Sequence, residues 1–390
     1  MKWSQTTIGE FSIQKGASID PRKHKDELFE LYSIPAFDKG NPEIIQGSQI
    51  GSSKKIIQPD DVLLSRIVPH IRRAWVVGPG NGLRKIGSGE WIVFRSKKIF
   101  PRFLRWFFLW DDFHNYFMRT VSGVGGSLLR ARPSEVYKIP IPIPPLSEQK
   151  RIAGILDAAD ALRAKRREAL AQLDTLLQST FLDMFGDPVT NPMGWEVGQL
   201  CDYTLKVGSG ATPRGGDKSY TQNGVALIRS LNVRDGEFSW NKLARINDEQ
   251  ARRLSNVVVR EDDILLNITG ASVARVCRAP GAVLPARVNQ HVCIIRPSDK
   301  IEPNYLEKIL LVDSMKNKLI ITGESGATRQ AITKSQVLEL GIPIPPLSLQ
   351  RRFAAIVESV EKQKATMRAH LAELDTLFAS LQSRAFNGEL

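Results

Sequence analysis

The sequence Ile141-Pro-Ile-Pro-Pro-Leu-Ser147 occurs a second time, letter for letter, as Ile342-Pro-Ile-Pro-Pro-Leu-Ser348. The copies lie 201 residues apart and stay in register, without insertion, as far as Leu173-Asp-Thr-Leu176 and Leu374-Asp-Thr-Leu377. Internal duplication on this scale indicates one structural unit used twice. The segments before each copy have diverged, so two variable segments alternate with two constant ones.

Each constant segment predicts a long helix. Its prolines disfavour helical backbone in the residues before them, and Ser147 and Ser348 then stand where a helix N-cap is expected. Gly186-Asp-Pro188 and Asn387-Gly388 are the stop signals. A heptad pattern of about five repeats lies between start and stop. In the first copy its seam is predicted at Glu148, Ile152, Ile155, Ala159, Leu162, Arg166, Ala169, Leu173, Leu176 and Thr180. In the second copy the seam is predicted at Leu349, Phe353, Ile356, Val360, Gln363, Met367, His370, Leu374, Leu377 and Leu381.

The two heptad seams can close in two ways. Each helix can pair with a helix of another chain, or the two helices of one chain can pair with each other. We favour antiparallel pairing within the chain, which predicts a coiled coil with a pseudo-twofold axis across the internal repeat. Polar seam residues such as Arg166, Gln363 and His370 are interpreted as structural, because such residues set register in coiled coils.

The variable segments are distant copies of each other. Asp60-Asp-Val-Leu-Leu64 parallels Asp262-Asp-Ile-Leu-Leu266, and short strands are predicted at 62–64, 91–94 and 292–295. The predicted fold class is α+β, with two mixed α/β domains separated by two long helices that form an antiparallel coiled coil. The predicted boundaries are 1–138 for the first domain, 139–186 for the first connector and helix, 187–338 for the second domain and 339–390 for the second connector and helix.

Composition favours a polyanionic partner. Lys and Arg total 54 against 41 acidic residues, which gives a formal charge of +13 and a pI near 9.7. Such a balance is typical of nucleic-acid binding, the alternative being a basic protein without a polyanionic partner. Three cysteines without CxxC spacing indicate a reducing compartment, no disulfide frame and no zinc site. No signal peptide and no bilayer-length apolar run are recognised, so a cytoplasmic location and no membrane partner are predicted.

Catalytic motifs are not found in the sequence. Residues 208–219 lack the Gly-Lys-Ser/Thr ending of a phosphate loop, and no HExxH, GxSxG or Asn-Pro-Pro-Tyr methyltransferase motif is present. The acidic pairs Asp60-Asp61 and Asp262-Asp263 could be metal ligands, but their place before an apolar strand favours a turn. No catalytic residue and no metal site are therefore predicted.

Basic and glycine-rich loops supply the candidate DNA-binding residues. Arg and Lys suit guanine edges and phosphates, Asn and Gln suit adenine, and hydroxyl groups suit phosphates. The candidates of the first domain are Lys15, Arg22, Lys23, Lys25, Arg66, Arg72, Arg73, Arg84, Lys85, Arg130 and Arg132. Those of the second domain are Lys206, Arg214, Lys218, Tyr220, Arg229, Asn232, Arg234, Thr269, Ser272, Arg275, Thr328, Arg329 and Gln330.

The alternation of variable and constant segments, with each constant segment opening in Ile-Pro-x-Pro-Pro-Leu-x-x-Gln-x-Arg, resembles the DNA-specificity subunit of type I restriction–modification systems. The resemblance covers the whole chain and departs at one motif position, where Leu349 stands for Glu148. It implies a non-catalytic subunit whose two target-recognition domains each read one half of a split site in double-stranded DNA. It also implies two modification subunits that use S-adenosylmethionine, and restriction subunits that use ATP and Mg. No cofactor is expected on this chain itself.

Two other functions are compatible with the sequence. The chain could be the specificity subunit of a stand-alone adenine methyltransferase without restriction activity, or a coiled-coil scaffold without DNA affinity. A helicase-nuclease gene nearby would discriminate against the first, and a DNA-binding measurement at low salt against the second.

Overall fold

The structure is a computed structural model, and it describes residues 3–123, 129–324 and 330–390. The chain divides into two compact units. Unit 1 comprises Met1–Arg167 together with Ala369–Leu390, and unit 2 comprises Glu168–Arg368. Within the described ranges, none of the helices combines the length and apolarity that crossing a bilayer requires.

The strands of unit 1 form two sheets and two short strand pairs. Its strands are β1 (Ser4–Thr7), β2 (Ser18–Ile19), β3 (Leu28–Tyr32), β4 (Glu43–Gln46), β5 (Lys54–Ile56), β6 (Val62–Ser65), β7 (Ala74–Val76), β8 (Arg84–Gly87), β9 (Trp91–Phe94), β10 (Val121–Ser122), β11 (Arg130–Ala131) and β12 (Pro140–Ile143). The sheets have the orders β2-β5-β8-β3-β4 and β7-β6-β9, and the pairs are β1-β12 and β10-β11. Only the β3–β8 contact is parallel among these described strands.

The first helix of unit 1 lies between β3 and β4, and the others follow β9 in sequence. The helices are α1 (Ile34–Lys39), α2 (Pro101–Leu109), α3 (Asp111–Arg119), α4 (Pro133–Val136) and the first part of the long α5 (Leu146–Phe185), which passes into unit 2 at Glu168. Helix α2 buries Phe103, Leu104, Phe107 and Phe108 against the sheet β7-β6-β9 and the long helices. Burial of these apolar side chains contributes favourably to the folding of the unit.

The element order of unit 2 resembles that of unit 1 but is not identical, because a strand pair rather than a helix follows the strand that corresponds to β3. Its strands are β13 (Val197–Gln199), β14 (Thr204–Ser209), β15 (Val225–Ile228), β16 (Val233–Arg234), β17 (Glu237–Phe238), β18 (Ala244–Ile246), β19 (Ile264–Asn267), β20 (Val276–Arg278), β21 (Ala286–Val288), β22 (Val292–Pro297) and β23 (Gly341–Pro343). Its helices are α6 (Asp248–Arg253), α7 (Pro303–Leu311), α8 (Asp313–Glu324), α9 (Lys334–Leu338) and the first part of the long α10 (Leu347–Asn387), which passes into unit 1 at Ala369. The sheets have the orders β14-β22-β19-β20 and β18-β15-β21, and the pairs are β13-β23 and β16-β17.

Equivalent strands pair in equivalent ways in the two units. The antiparallel set β7-β6-β9 corresponds to β20-β19-β22, and the parallel pair β3-β8 corresponds to β15-β21. The predicted strands at 62–64, 91–94 and 292–295 are confirmed as β6, β9 and β22. The prediction of an α+β fold with an internal repeat is therefore confirmed.

The glutamine of the duplicated motif makes equivalent hydrogen bonds in both copies. The Gln149 amide accepts a hydrogen bond from the Phe100 N–H at 2.7 Å and donates to the Pro144 carbonyl at 2.9 Å. The Gln350 amide makes the same two bonds, to the Glu302 N–H at 2.9 Å and the Pro345 carbonyl at 2.8 Å. Each side chain thus satisfies an N–H at the start of α2 or α7, which the helix itself leaves without a partner, and joins it to the proline-rich connector.

The two long helices pair antiparallel within each unit. In unit 1, Arg163 of α5 pairs with Asp375 of α10 at 2.6 Å, and its guanidinium lies 4.3 Å from the Phe378 ring centroid. In unit 2 the roles are exchanged, because Lys364 of α10 pairs with Asp174 of α5 at 2.7 Å. Arg163 and Lys364 are equivalent positions of the repeat. The predicted antiparallel pairing within one chain is confirmed.

The heptad spacing is confirmed, but every second seam position was predicted one residue too early. Ile356 and Leu377 are 37% and 51% exposed, whereas the adjacent Val357 and Phe378 are 2% and 8% exposed. The first copy shows the same shift, with Leu176 49% exposed and Leu177 2% exposed. Adjacent apolar residues made both choices plausible. Between these apolar positions the residue that faces the other helix is charged, Arg163 in the first copy and Lys364 in the second. The true seam therefore looked polar in the sequence.

Candidate nucleic-acid interface

The two acidic pairs form turns that precede a strand, as predicted. Asp60 and Asp262 adopt left-handed backbone with φ of 66° and 64°, a conformation that aspartate tolerates in turns. Asp61 lies fully buried and binds the Arg95 guanidinium, while Asp263 holds Arg296 through two bonds of 2.7 and 2.8 Å. The ion pairs of these two carboxylates stabilise the sheet of each unit. Across the described ranges, no group of three or more potential metal ligands comes together.

Most candidates of unit 1 are already engaged with their own unit. They pair as Arg22 with Asp20, Arg66 and Arg130 with Glu90, Arg72 with Asp111, Arg73 with Asp38, Arg84 with Glu27 and Lys85 with Glu30, while Arg132 donates to the Thr120 carbonyl. Exposed pairs of this kind are weak, so the more exposed arginines can exchange a carboxylate for a phosphate. Candidates with exposed side chains therefore remain able to bind a ligand, whereas those with buried side chains have a structural role.

Arg73 and Lys85 belong to the structural group. The Arg73 side chain is 8% exposed and grips Asp38 through bonds of 2.7 and 2.9 Å, which lower the pKa of the Asp38 carboxyl. Lys85 is 4% exposed against Glu30. Burial raises the pKa of Glu30, but hydrogen bonds from Lys85 and Tyr32 outweigh it, and the net pKa is lowered. A buried pair of this type stays intact, because separating it leaves a charge without compensation.

Several candidates of unit 2 also form hydrogen bonds or ring contacts within their own unit. Asn232 is fully buried and donates to the carbonyls of Ser239 and Asn241. Arg229 donates to the Lys242 carbonyl and lies 5.1 Å from the Tyr220 ring centroid. The remaining pairs are Lys206 with the Asn256 carbonyl, Gln330 with Glu324 and Thr269 with His291.

The other candidates are free to meet a ligand. Within residues 3–123, 129–324 and 330–390, no side-chain hydrogen bond, ion pair or ring contact engages Lys15, Lys23, Lys25, Arg214, Lys218, Arg234, Ser272 or Arg275. Of these, Ser272 and Arg275 are partly buried and line one pocket together with Thr269. Thr328 and Arg329 lie outside the described residues.

This pocket is an open concavity of about 460 Å³ at the end of β19. It is lined by Ser230, Leu231, Thr269, Gly270, Ala271, Ser272, Arg275 and His291. The His291 imidazole lies 2.6 Å from the Thr269 hydroxyl through Nδ1 and 3.1 Å from the Gln290 amide through Nε2. The Gln290 amide in turn bonds the Thr212 hydroxyl.

Sequence reasoning missed Ser230, Gln290 and His291. Gln290 and His291 do not lie in a charged or glycine-rich run, which was the signal used to choose candidates, whereas Ser230 was passed over between the candidates Arg229 and Asn232. The repeat itself held a usable signal for His291, since it precedes β22 at the place where Glu90 precedes β9. In unit 1 that residue binds two candidate arginines, Arg66 and Arg130.

The geometry defines an internally duplicated α+β protein in which each unit carries loops on its sheets and contains a segment of both long helices. The family model described as the type I restriction modification DNA specificity domain matches residues 2–172 and 192–376. The chain belongs to this family.

Curated relatives agree with this assignment. The chain is 24% identical over 289 residues to the type I restriction enzyme EcoBI specificity subunit of Escherichia coli, covering 64% of this chain and 58% of the relative. It is 23% identical over 274 residues to the MjaVIII specificity subunit of Methanocaldococcus jannaschii, covering 65% and 62%. The matches thus span about three fifths of these relatives.

Two solved structures show the same fold. One is a chain from work on complex assembly and conformational transition of the type I R-M system, with a TM-score of 0.60, 23% identity and coverage of 100% and 98%. The other is the type I restriction-modification system S subunit from M. genitalium, with a TM-score of 0.59, 12% identity and coverage of 98% and 96%.

Proposed function

We propose that this chain is the DNA-specificity subunit of a type I restriction–modification complex, and that each unit reads one half of a bipartite site in double-stranded DNA. The observation that carries the proposal is the contrast within the repeat. The two units share an antiparallel three-strand set, a parallel strand pair and the motif hydrogen bonds, yet their loops present different side chains. Conserved scaffolds with divergent loops are typical of proteins that read two different targets.

The net charge supports the same proposal. A formal charge of +13 leaves free cations on both units, at Lys15, Lys23 and Lys25 in one and at Arg214 and Arg234 in the other. Cations of this kind neutralise DNA phosphates and release counterions, which supplies most of the affinity for a duplex. The subunit itself is non-catalytic in this proposal and works in the cytoplasm, consistent with its three free thiols.

Two modification subunits are the proposed partners on the paired helices. Unit 1 exposes Leu162 and Leu377 on its helix pair, and unit 2 exposes Leu176 and Ile356. Exposed apolar side chains at heptad spacing suit the apolar face of another helix. S-adenosylmethionine would then belong to these partners, and ATP and Mg to restriction subunits. A stand-alone methyltransferase without restriction subunits uses the same chain, and a neighbouring helicase-nuclease gene distinguishes the two.

Selection from a random duplex library tests the function directly. The full chain is expected to enrich two short defined elements that flank an unspecified spacer, because the two units read separately. Enrichment of one continuous element would contradict the two-domain assignment. Failure to retain any duplex at low salt, where phosphate contacts are strongest, would favour the scaffold function instead.

A further inference from the structure

The pocket at the end of β19 combines a free cation with hydroxyl groups. Ser230, Thr269 and Ser272 bring hydroxyls to its wall, and Arg275 brings a guanidinium. No hydrogen bond or ion pair to another described residue engages the side chains of Ser230, Ser272 or Arg275. Among the described lining residues none carries a carboxylate. The wall therefore offers donors and positive charge, which select an anionic ligand.

The equivalent arginine of unit 1 has the opposite environment. Arg73 and Arg275 occupy the same place in the repeat, because each carbonyl accepts a hydrogen bond from the last residue of the preceding strand, Ser65 at 3.0 Å and Asn267 at 2.8 Å. Arg73 is buried and neutralised by Asp38. In unit 2 the arginine is kept while the carboxylate is absent from the described surroundings. Arg275 is thus not needed as a structural ion pair.

The hydrogen-bond chain next to Arg275 holds a second donor in place. If the Gln290 amide donates to Nε2 of His291, then Nδ1 carries the imidazole proton and donates to the Thr269 hydroxyl oxygen. The Thr269 hydroxyl proton is then left to point at a ligand in the pocket. The bond from Thr212 to the Gln290 amide oxygen fixes the orientation of that amide.

We infer that this pocket is a binding site for a backbone phosphate of the DNA, with Arg275 as its principal ligand and the Thr269 and Ser272 hydroxyls as supporting donors. The inference rests on the proposed function and names one ligand of that surface. Phosphates protrude from a duplex and enter a concave site, whereas base edges lie at the floor of a groove about 8.5 Å deep and need a protruding side chain. A phosphate contact positions unit 2 on the duplex without choosing a base.

The salt dependence of binding tests this site. Affinity of the full chain for a duplex taken from the selection experiment is measured from about 50 to 200 mM NaCl, with Arg275→Ala, Arg275→Lys and the unsubstituted chain. Loss of one phosphate contact lowers the slope of log K against log[salt] by about 0.9, so Arg275→Ala should lose about 3–4-fold less affinity across this range. Arg275→Lys should keep the slope, because the point charge remains. The motif selected by Arg275→Ala should be unchanged.

Arg252→Ala is the charge-matched control, since Arg252 is exposed on α6 and lies outside the pocket. It should leave the slope closer to that of the unsubstituted chain. Equal slopes for Arg275→Ala and Arg252→Ala would overturn the site. Relaxed preference at one base pair in Arg275→Ala would overturn it in favour of a base-reading arginine. Absence of DNA binding by the unsubstituted chain would instead refute the proposed function, and the phosphate site with it.

Discussion

The glutamine of each constant segment is a buried structural residue, although its polar side chain would suit an exposed position. Gln350 is fully buried, and its loss would leave the Glu302 N–H and the Pro345 carbonyl without their partner. We expect Gln350→Ala to lower the free energy of unfolding by about 1–3 kcal/mol, the cost of unpaired buried polar groups. Urea unfolding measures it. Gln363→Ala, on an exposed glutamine of the same helix, should change stability by no more than about 0.5 kcal/mol.

Glu307 predicts a pH dependence of stability. Burial raises the pKa of its carboxyl above the ordinary value of 4.5, although its Oε1 accepts the Arg278 N–H at 3.0 Å. A raised acidic pKa means that the folded state holds its proton more tightly than the unfolded state. Stability from this group is therefore complete below pH 4.5 and is lost as pH rises through the raised pKa.

We therefore expect Glu307→Gln to be more stable than the unsubstituted chain near pH 7 and equal to it near pH 4, because glutamine keeps the acceptor and removes the charge. Urea unfolding at both pH values measures the difference. Glu373→Gln, on an exposed side chain, serves as the control and should change stability by no more than about 0.5 kcal/mol at either pH. A constant difference at both pH values would show that Glu307 does not titrate as inferred.

The ion pairs of individual candidates also show why the sequence could not assign their roles. Positive charge in loops identified Arg73 and Arg275 alike as candidates, and nothing in their local sequences separates them. Asp38 decides the role of Arg73 from 35 positions away, and Glu30 holds Lys85 from 55 positions away. Pairing over such separations depends on tertiary structure, so a list of charged residues cannot be sorted into structural and binding groups from sequence alone.

In the paired helices, two residues that are adjacent in sequence lie in different environments. Phe378 packs against Trp106 with ring centroids 5.3 Å apart, whereas Leu377 points away and is half exposed. We expect Phe378→Ala to cost about 3–5 kcal/mol of stability through the cavity that it leaves. Leu377→Ala should cost less than about 1 kcal/mol, because it deletes mostly exposed surface. Thermal unfolding of the two variants measures the contrast, and the seam predicted from the heptads would require the reverse order.

The exposed leucines of the helix pair should matter to partners instead. We expect Leu162→Glu combined with Leu377→Glu to weaken binding of a modification subunit at least tenfold while leaving the melting temperature of the free chain nearly unchanged. Burying two uncompensated carboxylates in an interface is costly. Ala164→Glu combined with Ala372→Glu adds the same charge on exposed positions of the same helices and is the control. Titration calorimetry measures both, and equal weakening would place the docking surface elsewhere.

At the scale of the whole molecule, the repeat was predictable and the composition of the units was not. Letter-for-letter duplication gave the two long helices, their heptads and the equivalence of the domains. It could not show that unit 1 is completed by the last 22 residues of the chain, Ala369–Leu390. That assignment depends on contacts such as the Gln382 amide to the Trp106 carbonyl at 3.0 Å, across 276 positions of sequence. The local sequence specifies each helix, and tertiary packing decides which half joins which unit.

Exchange of recognition domains should therefore depend on the C-terminal helix. A chimera that takes residues 1–138 from another family member must fit its counterpart of α2 against Phe378, Gln382 and Phe386, which pack on α2 here. A second chimera also takes the donor's equivalent of residues 369–390, and we expect it to melt higher because both sides of the packed surface then match. Differential scanning calorimetry measures this. Duplex selection with either folded chimera should change one half-site and keep the other, because unit 2 retains its loops. Equal melting temperatures would mean that the helix end tolerates any domain, and a change in both half-sites would mean that the units do not read independently.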